Sequence, residues 1–512
     1  MKKLPIGIQD FRELRKKELL YVDKTPLLHT LVHTAKYFFL SRPRRFGKSL
    51  LLSTLAELFK GNKAIFQGLW IENQWEWTTT NPVIELRFNE AAYKYIGLGA
   101  DILRRLREQA KLYQIELEAD NYVLAFREFI LALSAKFGQV VVLIDEYDKP
   151  IIDFLHDIPQ AEENREVLKN FYSVLKPLDA HIRFVFITGV SKFSRVSIFS
   201  ELNNLKDLTM SKPFHDLCGY TQQELEQNFQ DGIAQLCEEF DKDKEWALAE
   251  IKRWYNGYSW GNTKNTLYNP FSILNLFDEL QFRNYWFETG TPTFLIKLLR
   301  KKQQYDLERI QATSSALGSY QLANISSTTL LFQTGYLTIK ADLGIEVYEL
   351  GYPNQEVKSS MLRFLMDDYT NADQGHAAVP ALLMVHALWK GKTEELRTHV
   401  NALLASIPYE LHQSNEAYYH TVMYLAFSLI GVHIQSEIHV AKGRLDAILT
   451  TDQCIYIFEF KVNSSAEQAI QQIKEKGYAQ PYLGKGKVVI AIGISFNTEL
   501  KEVDDWRVEE LP

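Results

Sequence analysis

A short apolar run, Tyr37-Phe38-Phe39-Leu40, opens into Ser41-Arg42-Pro43-Arg44-Arg45-Phe46-Gly47-Lys48-Ser49-Leu50, after which Leu51, Leu52, Leu55, Leu58 and Phe59 recur at helical spacing. A buried strand, a loop ending Gly-Lys-Ser and a helix form the arrangement that a phosphate-binding loop requires. The helix start offers unpaired backbone N–H groups and the positive end of a dipole, both suited to a polyphosphate. On this reading Lys48 reaches the β- and γ-phosphates of ATP and the Ser49 hydroxyl ligates Mg²⁺, while Arg45, Phe46, Gly47 and Leu50 complete the nucleotide-binding loop. The general pattern G-x-x-x-x-G-K-[ST] calls for glycine at position 42, where this chain has Arg42. A basic surface turn ahead of an amphipathic helix is the competing interpretation of these residues alone.

A second stretch bears on that choice. Val140-Val141-Val142-Leu143-Ile144 is a continuous apolar run ending in Asp145-Glu146, the pattern of a strand buried on both faces of a parallel sheet. Acids at such an end are costly unless they meet a cation. Asp145 is therefore expected to partner the Mg²⁺ held by Ser49, directly or from behind it. Glu146 is placed to orient and activate the attacking water. A third strand, 182–189, carries Thr188 at its end, a candidate sensor of the γ-phosphate in hydrolases with an extra strand between the two motif strands. Arg195 is a candidate arginine finger in cis or in trans, with a surface salt bridge equally open.

Strands alternating with helical stretches argue a parallel α/β sheet. Residues 82–88 alternate apolar and polar, as a strand near a sheet edge does, and Asp23 is expected to cap a helix carrying Leu27, Leu28, Leu31 and Val32. At 512 residues the chain implies about two to four domains. The composition divides it into a nucleotide domain (1–212), a lid and small-strand region (213–355), a helical connector (356–412) and a second α/β domain (413–512). Short strands and turns are expected over 320–360, including Leu331 to Thr338. The aromatic turns Trp254–Tyr258, Tyr268–Phe271 and Tyr285–Gly290 fit a helical lid over the nucleotide or plain core packing equally well.

A net charge of −7 excludes a global basic footprint for nucleic acid. The clusters Arg42/Arg44/Arg45, Arg104/Arg105/Arg107 and Arg300/Lys301/Lys302 read as solvated faces or loops. Cys218, Cys237 and Cys454 give neither a disulfide framework nor a zinc spacing, which fits a reducing cytoplasm. Neither a signal peptide nor a membrane span is expected.

The last hundred residues carry a separate constellation. Residues 443–449 and 454–461 read as two strands joined by the turn Thr451-Asp452-Gln453. Asp446 and Glu459 are equidistant from the centre of that turn, which makes them cross-strand neighbours with Cβ atoms roughly 5 Å apart. Glu459 and Lys461 share a face, and Phe458 and Phe460 point the other way. Two carboxylates so close favour a hard divalent cation, Mg²⁺ or Mn²⁺, with Lys461 orienting a water or stabilising developing charge. An ion-pair ladder on a solvated face is the alternative. A helix over 415–430 and a strand from Val432 to Val440 precede the hairpin; a helix over 466–478 and a strand over 487–494 follow it. Glu416 is a further candidate acid, although acids at helix starts also answer to the dipole alone.

The order of these motifs resembles a bacterial family that fuses an AAA-ATPase-like domain to a PD-(D/E)XK nuclease-like domain. The stretches that carry the resemblance are Tyr21–Thr25, Arg42–Ser49, Leu143–Pro150, Thr188–Phe193, Tyr255–Tyr258, Gly443–Asp446 and Glu459–Lys461. It covers nearly the whole chain, and Arg42 belongs to the family's own loop pattern. The resemblance implies an additional-strand, AAA-like P-loop NTPase sheet with a helical lid, joined to a PD-(D/E)XK-type α/β domain. It implies ATP bound by residues 40–49 with Asp145 and Glu146, and Asp446, Glu459 and Lys461 in the positions of a metal-dependent nuclease site. Nucleic acid is then the expected partner of the C-terminal domain, and homo-oligomerisation is left open. Whether that domain cuts is also open; the alternative is an ATP-dependent conformational switch that grips a partner or nucleic acid. A small-molecule kinase is a third reading, with no acceptor-binding signature to support it.

Overall fold

The computed structural model describes the chain outside residues 1, 90–91, 193–201, 203, 262, 288–292, 303–304, 319–325, 371–377, 406–415, 435–439, 442–443, 485 and 498–501. It divides into two compact units, Met1–Phe294 with Leu307–Glu356, and Leu295–Asp306 with Val357–Pro512. Among the described residues no helix is long and apolar enough to cross a membrane.

The first unit is built on five parallel strands: β1 (Tyr37–Ser41), β2 (Val83–Arg87), β3 (Val140–Asp145), β4 (Ile182–Gly189) and β5 (Lys206–Asp207), in the order β2-β3-β4-β1-β5. Every residue of β1 and β3 is buried, as the unbroken apolar runs require of strands covered on both faces. The expected extra strand is β4, hydrogen-bonded between β1 and β3. That placement sets the carboxyl ends of three strands side by side at Ser41, Asp145 and Thr188. β2 occupies an edge, where Glu85 and Arg87 are half-buried. Side-chain caps fix several helix starts: Asn121, Asp157 and Asp243 accept from the first turns of their helices, and Thr221 with Glu224 forms a capping box.

Helices between Gln222 and Glu279 build a second core, with Leu225, Ile233, Leu236, Ile251, Tyr255, Tyr268 and Phe277 buried together. Tyr255, Tyr258 and Tyr268 are fully buried. An antiparallel sheet of β6 (Ile310–Thr313), β7 (Thr338–Gly344) and β8 (Val347–Gly351) follows, in the order β6-β8-β7. Two local expectations are corrected. Asp23 does not cap the helix Thr25–Thr34; Lys24 holds that position, and the Asp23 carboxylate accepts from the N–H and hydroxyl of Thr25. Leu331 to Thr334 is helical, because Ser326 caps a turn that runs on to a left-handed Gly335.

In the second unit β9 (Val440–Ala441), β10 (Arg444–Thr450), β11 (Cys454–Val462), β12 (Val488–Asn497) and β13 (Glu502–Leu511) lie in the order β13-β12-β11-β10-β9. Only β11 and β12 run parallel, bridged by the helix Ala466–Glu475. That helix buries Ala466, Ala469, Ile470 and Ile473. A Cβ on Gly493 would sit 2.4 Å from the Ala466 carbonyl oxygen, so the close approach of helix to strand requires glycine there. The ring of Phe427, from the helix Glu416–Ile434, packs against Phe458 and Phe460. Val432 belongs to that helix and not to a strand; the strand expected from Val432 to Val440 contracts to Val440–Ala441, with 435–439 outside the described residues.

Candidate functional site

At the end of β1 the chain turns through Arg45, at φ +63°, and Gly47, at φ +93°, into the helix Lys48–Phe59. Left-handed backbone costs little for Gly47 and is unusual for Arg45. The side chain of Arg42, in the place of the usual glycine, is fully buried. Its guanidinium donates to the carbonyls of Ser41 (2.8 Å), Thr209 (2.9 Å) and His215 (3.3 Å) and lies 4.2 Å from the Trp260 ring. Burial pushes its pKa down to about 10. The supposed basic cluster therefore divides: Arg42 is an internal strut, while Arg44 and Arg45 are exposed, Arg45 standing 4.0 Å from the Phe271 ring. Phe46 is buried edge-on against Tyr258 and Trp260, and Trp286 Nε1 donates to the Arg44 carbonyl at 2.9 Å.

Lys48 is buried and its ammonium donates to the carbonyls of Arg42 and Pro43, each at 2.9 Å. Burial lowers its pKa, opposed by Asp145 and Glu146. The Asp145 carboxylate accepts from Ser49 Oγ and from Thr188 Oγ1, both at 2.6 Å. The three residues singled out on separate strands and the loop thus meet at one carboxylate. Glu146 stands at φ +54°, a conformation that L-residues adopt at a cost and that clusters at functional sites. Burial, then the neighbouring Asp145, raise its pKa, against Lys48; a raised carboxyl suits a general base.

A cavity of about 570 Å³ opens over the loop, lined by residues 44–51 and by Glu146. That volume is in the range of small-molecule sites. Asp145 and Thr188 stand behind its wall, 5% exposed and fully buried. The helix Pro270–Glu279 presents Phe271 and Leu274 to the same cavity, which Tyr21, Val22 and Lys24 also line. Lys24 is pinned there by Glu224 at 2.6 Å and by the Asp216 carbonyl at 2.8 Å. Asn89 beyond β2, Asp148 and Cys218 also line it. None of these was found from sequence as a site residue, because each is brought to the cavity by tertiary packing. The residues present fit a Mg²⁺-bound nucleoside triphosphate: N–H groups at a helix start, the buried ammonium of Lys48, a hydroxyl backed by a carboxylate, and apolar walls. Arg195 lies outside the described residues.

In the second unit Asp446 and Glu459 are direct cross-strand partners in β10 and β11, as the hairpin symmetry predicts. Glu459 is 1% exposed. Lys461 donates to Glu459 Oε1 at 2.9 Å and to Gln472 Oε1, on the helix that follows, at 2.6 Å. Glu416 begins the helix Glu416–Ile434. Among the described residues no three His, Cys, Asp or Glu side chains form a cage. Mg²⁺ is ordinarily held by one or two carboxylates together with waters and substrate phosphates, so the Asp446–Glu459 register is compatible with it.

Comparison with known proteins places these two regions. A family described as "Predicted AAA-ATPase" matches residues 5–199, and one described as "PD-(D/E)XK nuclease superfamily" matches residues 414–506. A protein of Azotobacter chroococcum mcd 1, known as the uncharacterized protein in the vnfD 5′ region, is 40% identical over 533 residues, covering 100% of this chain and 99% of that one. No solved structure matches the chain.

Proposed function

The chain belongs to a family that joins an AAA-ATPase-like domain to a PD-(D/E)XK nuclease superfamily domain, and from that premise we propose that it binds and hydrolyses ATP with Mg²⁺ and acts through its C-terminal domain on nucleic-acid phosphodiesters. The observation that carries the first half is the Asp145 carboxylate, bonded at once to Ser49 and Thr188. Bound Mg²⁺ would neutralise phosphate charge and polarise the phosphoryl group. Around it, the helix start and Lys48 hold the phosphates. Ser49, oriented by Asp145, supplies the hydroxyl on the metal side. Glu146 takes a proton from water, and Thr188 holds Asp145 from behind. Lys48 currently closes its own loop through two carbonyls and would exchange them for phosphate oxygens.

For the second half, Asp446 and Glu459 would hold Mg²⁺ and Lys461 would stabilise developing charge. Purified protein with Mg²⁺ should release phosphate from ATP and nick DNA or RNA. Lys48→Ala should stop the first activity, and Asp446→Ala the second. Cleavage persisting in Asp446→Ala sinks the nuclease assignment.

A second reading has its own support. Lys461 is already committed to Glu459 and Gln472, as a structural ladder would have it. The protein is then an ATP-dependent switch whose C-terminal domain grips nucleic acid or a partner without cutting. ATP-dependent protease protection with no cleavage of any nucleic acid would select it. The three free cysteines support action in a reducing cytoplasm.

A further inference from the structure

Two residues beyond Glu146 the chain buries another acid. Asp148 is 1% exposed and borders the cavity. One of its carboxylate oxygens accepts from the N–H of Val190 (3.0 Å), the N–H of Ser191 (2.6 Å) and the hydroxyl of Ser191 (2.7 Å); the other lies 3.2 Å from the Val190 nitrogen. A buried carboxylate is costly and is tolerated when several donors converge on it. Here three of them, the N–H groups of Val190 and Ser191 and the Ser191 hydroxyl, come from one short segment, the chain leaving β4 just after Thr188.

The fit is close. A Cβ on Gly189 would lie 2.7 Å from Asp148 Oδ1 and 2.6 Å from the Tyr147 ring. Tyr147 N–H donates to the Thr188 carbonyl at 3.0 Å. The turn that carries Glu146 is therefore stapled twice to the end of β4, by Tyr147 to Thr188 and by Asp148 to Val190 and Ser191. Beyond the staple, Lys192 N–H donates to Gln333 Oε1 at 2.7 Å and its ammonium pairs with Asp207. Asp207 in turn accepts from Thr209 N–H at 2.9 Å. Thr209 accepts from Ser41 N–H through its hydroxyl oxygen (3.2 Å) and from Arg42 through its carbonyl (2.9 Å). A line of hydrogen bonds thus leads from Asp148 back to the start of the phosphate loop.

We propose that Asp148 is a positioning residue for ATP hydrolysis, holding Thr188 and Glu146 in fixed relation. The inference rests on the nucleotide-binding reading above. It gives Asp148 no contact with the phosphates and no proton to move; it acts through Glu146 and Thr188.

The test measures steady-state hydrolysis, Mg·ATP and Mg·ADP affinities and the melting temperature for the full chain, Asp148→Asn, Ser191→Ala and Lys48→Ala. Misplacing a catalytic group by about 1 Å can cost about 100-fold in rate. Asp148→Asn should therefore lose about 10- to 100-fold in kcat, while Mg·ATP and Mg·ADP affinities stay within about threefold of wild type. Ser191→Ala, which removes one donor and leaves the carboxylate, should show the same pattern more weakly; it carries the test should Asp148→Asn fail to fold. Asp148→Asn or Ser191→Ala with wild-type kcat overturns the proposal, as does parallel loss of ATP and ADP binding, which marks a structural role only. Normal nucleotide binding by Lys48→Ala overturns the underlying reading instead.

Discussion

The Ser49 hydroxyl and the Asp145 carboxylate, 96 positions apart in the chain, meet at 2.6 Å. The bond exists because β4 lies between β1 and β3 and brings the strand ends into line. It orients the hydroxyl before any ligand arrives. Ser49→Ala should weaken Mg·ATP binding about tenfold, the worth of a hydrogen bond involving a charged group, and should leave metal-free ATP binding in EDTA nearly unchanged. Equal loss with and without Mg²⁺ would place Ser49 elsewhere than beside the metal.

Arg42→Gly restores the general phosphate-loop pattern and should nonetheless harm the protein. The glycine leaves the carbonyls of Thr209 and His215 without their donor and a gap beside Trp260. A loss of about 3–5 kcal/mol is expected in urea unfolding. Stability equal to wild type would mean the strut is idle.

That residue shows where sequence reading stops. The parallel sheet was legible because β1 and β3 are built on the unbroken apolar runs Tyr37–Leu40 and Val140–Ile144, and the Asp446–Glu459 pairing followed from hairpin symmetry alone. Arg42 read as one of three solvated arginines because its partners, Thr209, His215 and Trp260, lie far along the chain. β13 was missed: Glu502, Asp504, Asp505, Glu509 and Glu510 make it resemble a polar tail, and an edge strand tolerates such charge. Val432 was read as strand because a β-branched residue beside glycine gave no sign that helix packing would carry it. Phe271 reaches the cavity only through tertiary packing, and Lys24 and Asp148, although inside the stretches Tyr21–Thr25 and Leu143–Pro150, show their place at the cavity only in the fold.

Glu146 sets a pH dependence. Its folded pKa is raised by burial and by Asp145, against Lys48. A carboxyl raised in this way stabilises the fold fully below its unfolded pKa, and that contribution is lost as pH rises through the folded value. Glu146→Gln should therefore match wild type in mildly acidic buffer and exceed it in neutral buffer, by chemical denaturation. Its kcat should fall about 100- to 10,000-fold. A stability difference that stays constant across that pH range would remove the argument from burial.

Gly493→Ala tests how the helix Ala466–Glu475 is seated. The added methyl would collide with backbone, the Ala466 carbonyl, with the Ala469 Cβ also only 3.1 Å away. Neither can swing aside as a flexible side chain could. Thermal or urea unfolding should register a loss of about 1–3 kcal/mol, and any nucleic-acid cleavage should fall with it, because Gln472 rides on the displaced helix. A neutral substitution would show that the helix shifts freely over β12.

Lys461 decides between cutting and gripping. Its ammonium lies between Glu459 and Gln472. If the arrangement is a structural ladder, Lys461→Gln should cost stability and leave nucleic-acid affinity close to wild type, with no cleavage in either protein. If it serves catalysis, wild type cleaves with Mg²⁺ and Lys461→Gln binds the same nucleic acid but loses about 100-fold or more in rate, the usual consequence of withdrawing a group that stabilises transition-state charge. Gel-based cleavage and binding on the same preparations separate the two. Binding lost along with cleavage would put Lys461 on the nucleic-acid backbone, where its positive charge would act through phosphate contact and its loss would flatten the salt dependence of affinity.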